Sequence, residues 1–203
     1  MTVTTTAPTD LLPGFPNSVQ DSQRCFRAVL DAMARPGSIH AMPEPAGIPT
    51  GWTPGLTALA LTLFDQDTPV WLDQGAATPE AATHLRFHCG CPLADKPVDA
   101  MFAIIMDTAA APPLHGFAIG DPQYPEQSAT LILSLPSLTD GPPLTWQGPG
   151  IKGTQMASPE GLPPGFLGQW ADNHALYPSG IDIILTAGTA VMALPRGVSV
   201  EEA

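Results

Sequence analysis

The sequence predicts an α/β fold: a three-layer arrangement in which a mixed β-sheet is covered on both faces. Three observations carry this. Segments with helical apolar spacing alternate with short apolar runs of strand character. The runs AMFAIIMD and SATLILSLPSL are apolar throughout rather than alternating, which marks strands buried on both sides. Near the end, GIDIILTAGTAVMALPR reads as two strands folded back at Gly188-Thr189, so that a hairpin closes the chain. At 203 residues, with 44% hydrophobic and 13% charged, the chain has globular composition. A chain of this size hides roughly 70% of its unfolded surface, so its core requires no staple. Residues 1–14, rich in Thr and Pro, read as a flexible leader, and residues 15–203 as a single α/β domain.

The elements follow in order. In DSQRCFRAVLDAMARPG, residues Phe26, Val29, Leu30 and Met33 recur at helical spacing and are expected to form the core-facing stripe. Ser18 or Asp21 is the expected N-cap, and Pro36-Gly37 ends the helix. In TPGLTALALTLF, Thr53 caps a helix and Pro54 suits its first position. Leu56, Leu59, Ala60 and Leu63 form one stripe there. Leu61 and Phe64 add bulk off it, so this helix is expected to be buried nearly all round. Val70-Trp71-Leu72 is a short strand, and Thr78-Pro79-Glu80 starts a helix running to about Arg86. The two long apolar strands follow, then LTWQGPGI as a strand entering a Gly-Pro-Gly turn. PPGFLGQWADNH holds a short helix with Phe166, Leu167 and Trp170 inward, and the hairpin comes after it.

Charge narrows the function. The net charge is −12, with seven cationic residues against nineteen acidic ones. That balance argues against nucleic acid, whose phosphates require clustered Lys and Arg, and against an anionic membrane surface. No apolar run reaches the length of a membrane span. The first ten residues lack the basic and apolar regions of a signal peptide, and three cysteines make no disulfide framework. A cytoplasmic location is expected.

Three of the seven cations, Arg24, Arg27 and Arg35, fall with Asp31 on one side of the first helix. Guanidinium forks suit a partner's carboxylates or a phosphonate's oxygens. A solvated face with Asp31 pairing one arginine explains the same pattern. RFHCGCP is the densest chemical cluster. Arg86, His88 and amides around Gly90 could form an anion pocket, or the segment is a turn with a hydrogen-bonded His. His88, Cys89 and Cys91 are soft donors, but their spacing is not that of a zinc site and no second pair follows, so no metal is expected. GPGIK places Gly148 and Gly150 where amides could face an anion, although the full GxxxxGK[ST] pattern is missing and a turn explains it equally well. No GxSxG or HExxH motif is present. Only Lys96 and Lys152 could form an imine, and neither lies in an apolar stretch.

Six segments, DSQRCFRAVLDAMARPG, LTLFDQDTPVWL, RFHCGCPL, GPGI, YPSGIDIILT and ALPRGVSVE, occur in this order and nearly span the chain. Together they resemble the PhnH family, the H subunit of the bacterial carbon–phosphorus lyase complex. The resemblance implies a role in phosphonate catabolism within an assembly that couples an alkylphosphonate to the ribose of ATP with loss of adenine. It implies a homodimer, other lyase-complex subunits as partners, and a non-catalytic or co-catalytic role. It also implies a fold like a reduced pyridoxal-phosphate-dependent transferase without the cofactor, so none is expected. Cys89 and Cys91 depart from the family pattern, which has Thr and a small residue at these places. Expected site residues are Arg86, His88, Gly148 and Gly150 for a ligand such as ATP or phosphonate, and Arg24, Arg27 and Arg35 for an interface. A stand-alone relic transferase, or a phosphate- or phosphonate-binding protein, is the alternative.

Overall fold

The structure is a computed structural model that describes residues 11–203. In chain order it contains α1 (Ser18–Ala34), β1 (His40–Ala41), α2 (Pro54–Leu63), β2 (Val70–Leu72), α3 (Pro79–His88), β3 (Phe102–Ile105) and β4 (Thr130–Ser134). These are followed by β5 (Leu144–Gln147), β6 (Gln155–Ala157), α4 (Phe166–Ala175), β7 (Asp182–Ala187), β8 (Ala190–Leu194) and β9 (Ser199–Glu202). The two long apolar runs are paired only over their central four or five residues.

Six strands form the main sheet in the order β1-β8-β7-β4-β3-β2. β2, β3, β4 and β7 run parallel; at one edge β8 pairs antiparallel with β7, and β1 antiparallel with β8. Register explains why these strands are apolar at every position. Ile104, Ile132, Ile184 and Ala193 lie side by side and point to one face. Their neighbours Ile105, Leu133, Leu185 and Met192 form the matching row on the other. Each face carries its own core, as a doubly covered sheet demands.

The cover differs between the faces. α1, α2 and α3 pack on the Ile104 side. On the other side lie α4 and a second, antiparallel sheet of order β6-β5-β9, which contributes Leu144, Trp146, Ala157 and Val200 to that core. The mixed α/β sheet is therefore as expected, but its second covering layer is part sheet. β6 (QMA) and β9 (SVEE) are short and half polar, with no periodicity to read. The β7–β8 hairpin forms with its turn at Gly188-Thr189. It does not close the chain, because β9 continues and pairs with β5.

Helix starts follow capping chemistry. Thr53 accepts from Leu56 N at 3.2 Å and Thr78 from Ala81 N at 3.1 Å, each with Pro at the following position. The cap of α1 is neither Ser18 nor Asp21 but Asn17. Its side chain accepts from Gln20 N at 3.2 Å, while Asp21 accepts from Asn17 N at 2.9 Å. This reciprocal pair satisfies two otherwise orphaned donors.

The expected stripe of α1 needs a larger correction. Phe26 and Leu30 are 52% and 57% exposed, and Met33 is half-buried. The buried side is Asp21, Cys25, Ala28, Val29 and Ala32. Apolar residues wrap most of this helix, and its small residues, not its large ones, permit close approach to α2 and β8.

Leu12–Gly14, placed by the sequence reading in the leader, are tied down. Leu12 O lies 2.8 Å from His88 Nε2, and Gly14 O accepts from Ala46 N at 2.9 Å. The rest of that leader, residues 1–10, lies outside the described residues.

Candidate functional site

The seventeen-residue helix α1 presents one long outward face. Val19, Phe26 and Leu30 line it, with Arg27 beside them. The three arginines behave differently. Arg24 pairs with Asp21, and Arg35 with Asp31 at 2.5 Å. Arg27 is exposed and has no ion-pair partner among the described residues. The Arg24 guanidinium, followed by Asn17 N–H, holds the Asp21 carboxyl below its ordinary value.

At its C-terminal end α1 meets the second sheet. A cleft of about 380 Å³ opens there between Met33, Pro149, Gly150, Tyr177 and Val198. Gly150 has φ 83°, and a Cβ on it would stand 2.3 Å from Ala34 O, so the Gly-Pro-Gly turn can lie against the helix end only with glycine there. Gly148 also allows a close approach, with Gly197 O 2.7 Å from its notional Cβ. Gly150 thus brings the turn against the end of α1, and Gly148 brings it against Gly197 and Val198.

Arg86 and His88 lie elsewhere. They end α3, which does not line the cleft beside the turn. Arg86 is exposed, and His88 is bound to the Leu12 carbonyl with its ring against Gly14. One turn earlier, His84 is buried, and neither ring nitrogen has a hydrogen-bond partner among the described residues. Its ring centroid is 4.5 Å from that of His88. Burial, then the neighbouring His88, lowers the His84 pKa to about 4, against a smaller opposing pull from Glu80. Lys96 and Lys152 are exposed.

Two charged groups escaped the sequence reading. Arg196, just after β8, pairs with Asp182 at 2.5 Å, donates to Ser128 Oγ at 2.6 Å and to the Pro125 carbonyl at 2.9 Å. It joins β7, the approach to β4 and the wall of the cleft. The signal was present: one acid and one base flank an otherwise apolar hairpin in GIDIILTAGTAVMALPR. The other is Asp73, at the carboxyl end of β2. Open α/β sheets bind ligands at such strand ends. Here the carboxylate accepts from Ala76 N (2.7 Å), Met106 N (2.7 Å) and Asp107 N (2.8 Å), which clips β2 to the end of β3. Both residues are absorbed by structure. Among the described residues, no group of three or more His, Cys, Asp and Glu is arranged to hold a metal, and no helix is long and apolar enough to cross a membrane.

The arrangement defines an α/β protein with a mixed sheet, whose buried charges tie its own strands and whose outward feature is an apolar helix face bordered by arginine. Its family follows from comparison with known proteins: residues 13–201 match the family described as bacterial phosphonate metabolism protein (PhnH), and the chain belongs to that family. It is 40% identical over 187 residues to the alpha-D-ribose 1-methylphosphonate 5-triphosphate synthase subunit PhnH of Rhizobium meliloti (strain 1021), covering 92% of this chain and 94% of that one. A second relative is HtxG of Stutzerimonas stutzeri, described as a candidate C-P lyase subunit protein. It is 37% identical over 78 residues, 38% of this chain and 40% of its own.

Proposed function

We propose that this chain is a subunit of a carbon–phosphorus lyase core assembly. There it serves the coupling of an alkylphosphonate to the ribose of ATP with loss of adenine, as a non-catalytic or co-catalytic member. The observation that carries this reading is the near full-length match to a relative named as a synthase subunit. The outward face of α1 supports it, since Phe26, Leu30 and Val19 are large apolar groups left exposed. Arg27, free of a salt bridge, gives the face a cation for a partner's carboxylate; Arg24 and Arg35 flank it, each neutralised within the helix. The partners are other lyase-complex subunits and a second copy of this chain, in the cytoplasm. The mixed sheet layered with helices is compatible with a reduced pyridoxal-phosphate transferase fold, and two exposed lysines suit one that has dispensed with the cofactor.

Co-expression with the companion subunits tests the reading. A stable complex should co-purify, and the isolated chain should release no adenine from ATP and methylphosphonate. Release by the isolated chain sinks it. A second reading, anion binding at the Gly148–Gly150 turn, is favoured by the cleft beside it. Titration calorimetry of the isolated protein with ATP and with methylphosphonate decides it: heat lost in a Gly150→Ala variant supports it, and no heat removes it. Arg86 and His88 belong to this second reading only if their substitution weakens the same binding.

A further inference from the structure

The cleft at the C-terminal end of α1 continues the outward face of that helix. Phe26, Leu30 and Met33 stand at i, i+4 and i+7, so they follow one another along one side. Phe26 and Leu30 are exposed, and Met33 is half-buried where it forms a wall of the cleft. From Phe26 to Met33 is about 10 Å of helix, so a single partner segment laid on α1 reaches the opening. The other walls are held in place. Trp170 Nε1 donates to Val198 O at 2.8 Å, and Gly150 lies against Ala34 O. Pro149 and the exposed Tyr177 ring stand on either side of Gly197, where a Cβ would lie 3.5 Å from Tyr177 Cε2 and 3.7 Å from Pro149 Cγ. The lining's one charged group, Arg196, has its N–H groups engaged. Nε and one terminal nitrogen donate to Asp182, that nitrogen donates also to Ser128 Oγ, and the other donates to the carbonyls of Pro125 and Pro178. The cleft therefore offers apolar contact rather than a cation. Its volume of about 380 Å³ is near the low end of the roughly 300–1,000 Å³ of small-ligand sites, room for a side chain rather than a length of backbone.

We propose that this cleft is the socket for one bulky apolar side chain, aromatic or long aliphatic, carried by the companion subunit that covers α1. The inference rests on the reading of α1 as the face that meets companions. The same companion seats a carboxylate on Arg27, which borders the apolar stripe and has no ion-pair partner among the described residues. That requirement favours a companion over a second copy. A second copy meeting α1 with its own α1 brings Asp21 and Asp31, and both are already paired. An anchor entering a preformed pocket orders few groups on binding. Such anchors carry most of the binding energy, while the flatter contacts around them exclude water. Phe26 and Leu30 supply the flat contact, and the cleft fixes the register of the companion along α1.

The test plugs the socket. Gly197 has no positive φ and its notional Cβ meets only ordinary contacts, so Gly197→Leu fills the cleft without backbone strain. Affinity of the full chain for its purified companion subunits is read by biolayer interferometry, with thermal melts alongside. Gly197→Leu should weaken binding about tenfold or more at an unchanged melting temperature, and Gly197→Ala less than about twofold. Tyr177→Ala, at an exposed wall, should also weaken binding, and it carries the test if Gly197→Leu does not fold. Phe26→Ser with Leu30→Ser reports on the α1 face separately. If that pair weakens binding while Gly197→Leu and Tyr177→Ala bind as the parent does, the cleft is empty in the complex and the proposal is overturned with the α1 reading intact. If none of these variants weakens binding, the α1 reading falls and the proposal with it. Loss of self-association of the isolated Gly197→Leu chain in sedimentation would put a second copy in the cleft. Calorimetric heat with ATP or methylphosphonate that Gly197→Leu abolishes would put a small anion there. Either result overturns the proposal.

Discussion

α1 and α2 read alike as apolar helices, and the fold uses them in opposite ways. α2 sits beneath α1 and against β7, and every residue from Gly55 to Ala60 is buried. α1 is the outer of the two and buries a narrow strip of Cys, Ala and Val, while Val19, Phe26 and Leu30 face out at 77%, 52% and 57% exposure. The contrast teaches that side-chain size is a poor guide to which face of an outer helix is the core. Close approach selects small residues, and large ones turned outward are unpaid hydrophobic area at about 25 cal/mol per Å² until something covers them. α2 therefore reports on folding, and α1 on what the folded protein meets.

The largest effect separates the two directly. Leu59→Ala in α2 should destabilise by about 2–5 kcal/mol, since the side chain is fully buried and would leave a cavity. Phe26→Ala in α1 removes a bigger side chain yet should cost no more than about 0.5 kcal/mol. Urea denaturation of both variants reads this. Equal losses would break the comparison. Next in size is association: Phe26→Ser with Leu30→Ser should weaken binding to companion subunits by about 2 kcal/mol, roughly thirtyfold in Kd. Stability should barely move. Unchanged affinity in sedimentation or pull-down would show that this face meets nothing.

Much of the fold was legible because its signals are local. Thr-Pro pairs announce α2 and α3, apolar runs mark the parallel strands, and Gly188-Thr189 marks the hairpin. What stayed hidden depends on distant partners. β6 and β9 are strands only because β5 lies between them. The buried side of α1 is set by its neighbours, not by its own sequence, in which apolar residues occupy too wide an arc to choose. Of the candidate site, the clustering of arginines on α1 was readable. That Arg24 and Arg35 are consumed by Asp21 and Asp31 was half readable, since Asp31 was a named partner and Asp21 was taken for a cap. The Asp73 clip to Met106 spans 33 positions and the Arg196 bond to the Pro125 carbonyl spans 71, separations that no local pattern covers, whereas the Arg196–Asp182 pair, 14 apart, left a readable signal.

α3 supplies an intermediate case and a pH test. His84 is neutral in the fold, with its pKa at about 4 against an ordinary 6.5. Between those values the unfolded chain binds a proton that the folded chain does not. Stability is therefore fully present above about pH 6.5 and declines as pH falls toward 4. His84→Leu should flatten this part of the profile in urea titrations from pH 7 to 4. A slope unchanged by the substitution would place the acid sensitivity elsewhere; Asp21, lowered from 3.8, loses its contribution only as pH falls below that value, beneath this range.

The smallest effect on stability sharpens the comparison most. Arg24 and Arg35 each have an acid three or four residues away, so reversing either replaces attraction with repulsion inside α1. Arg27 has no such partner among the described residues, and Arg27→Glu should change stability by less than about 0.5 kcal/mol. Its consequence should appear only across an interface. A cation at the border of an apolar face steers an acidic partner and acts chiefly on the association rate. That contribution is screened within about 10 Å at 0.1 M salt. Arg27→Glu should therefore slow complex formation at low ionic strength and converge on the parent at high salt, while Phe26→Ser weakens binding at both. Stopped-flow association across a salt series distinguishes them. If Arg27→Glu associates as fast as the parent at the lowest salt, the arginine is a solvated side chain, and α1 meets its partners through apolar contact alone.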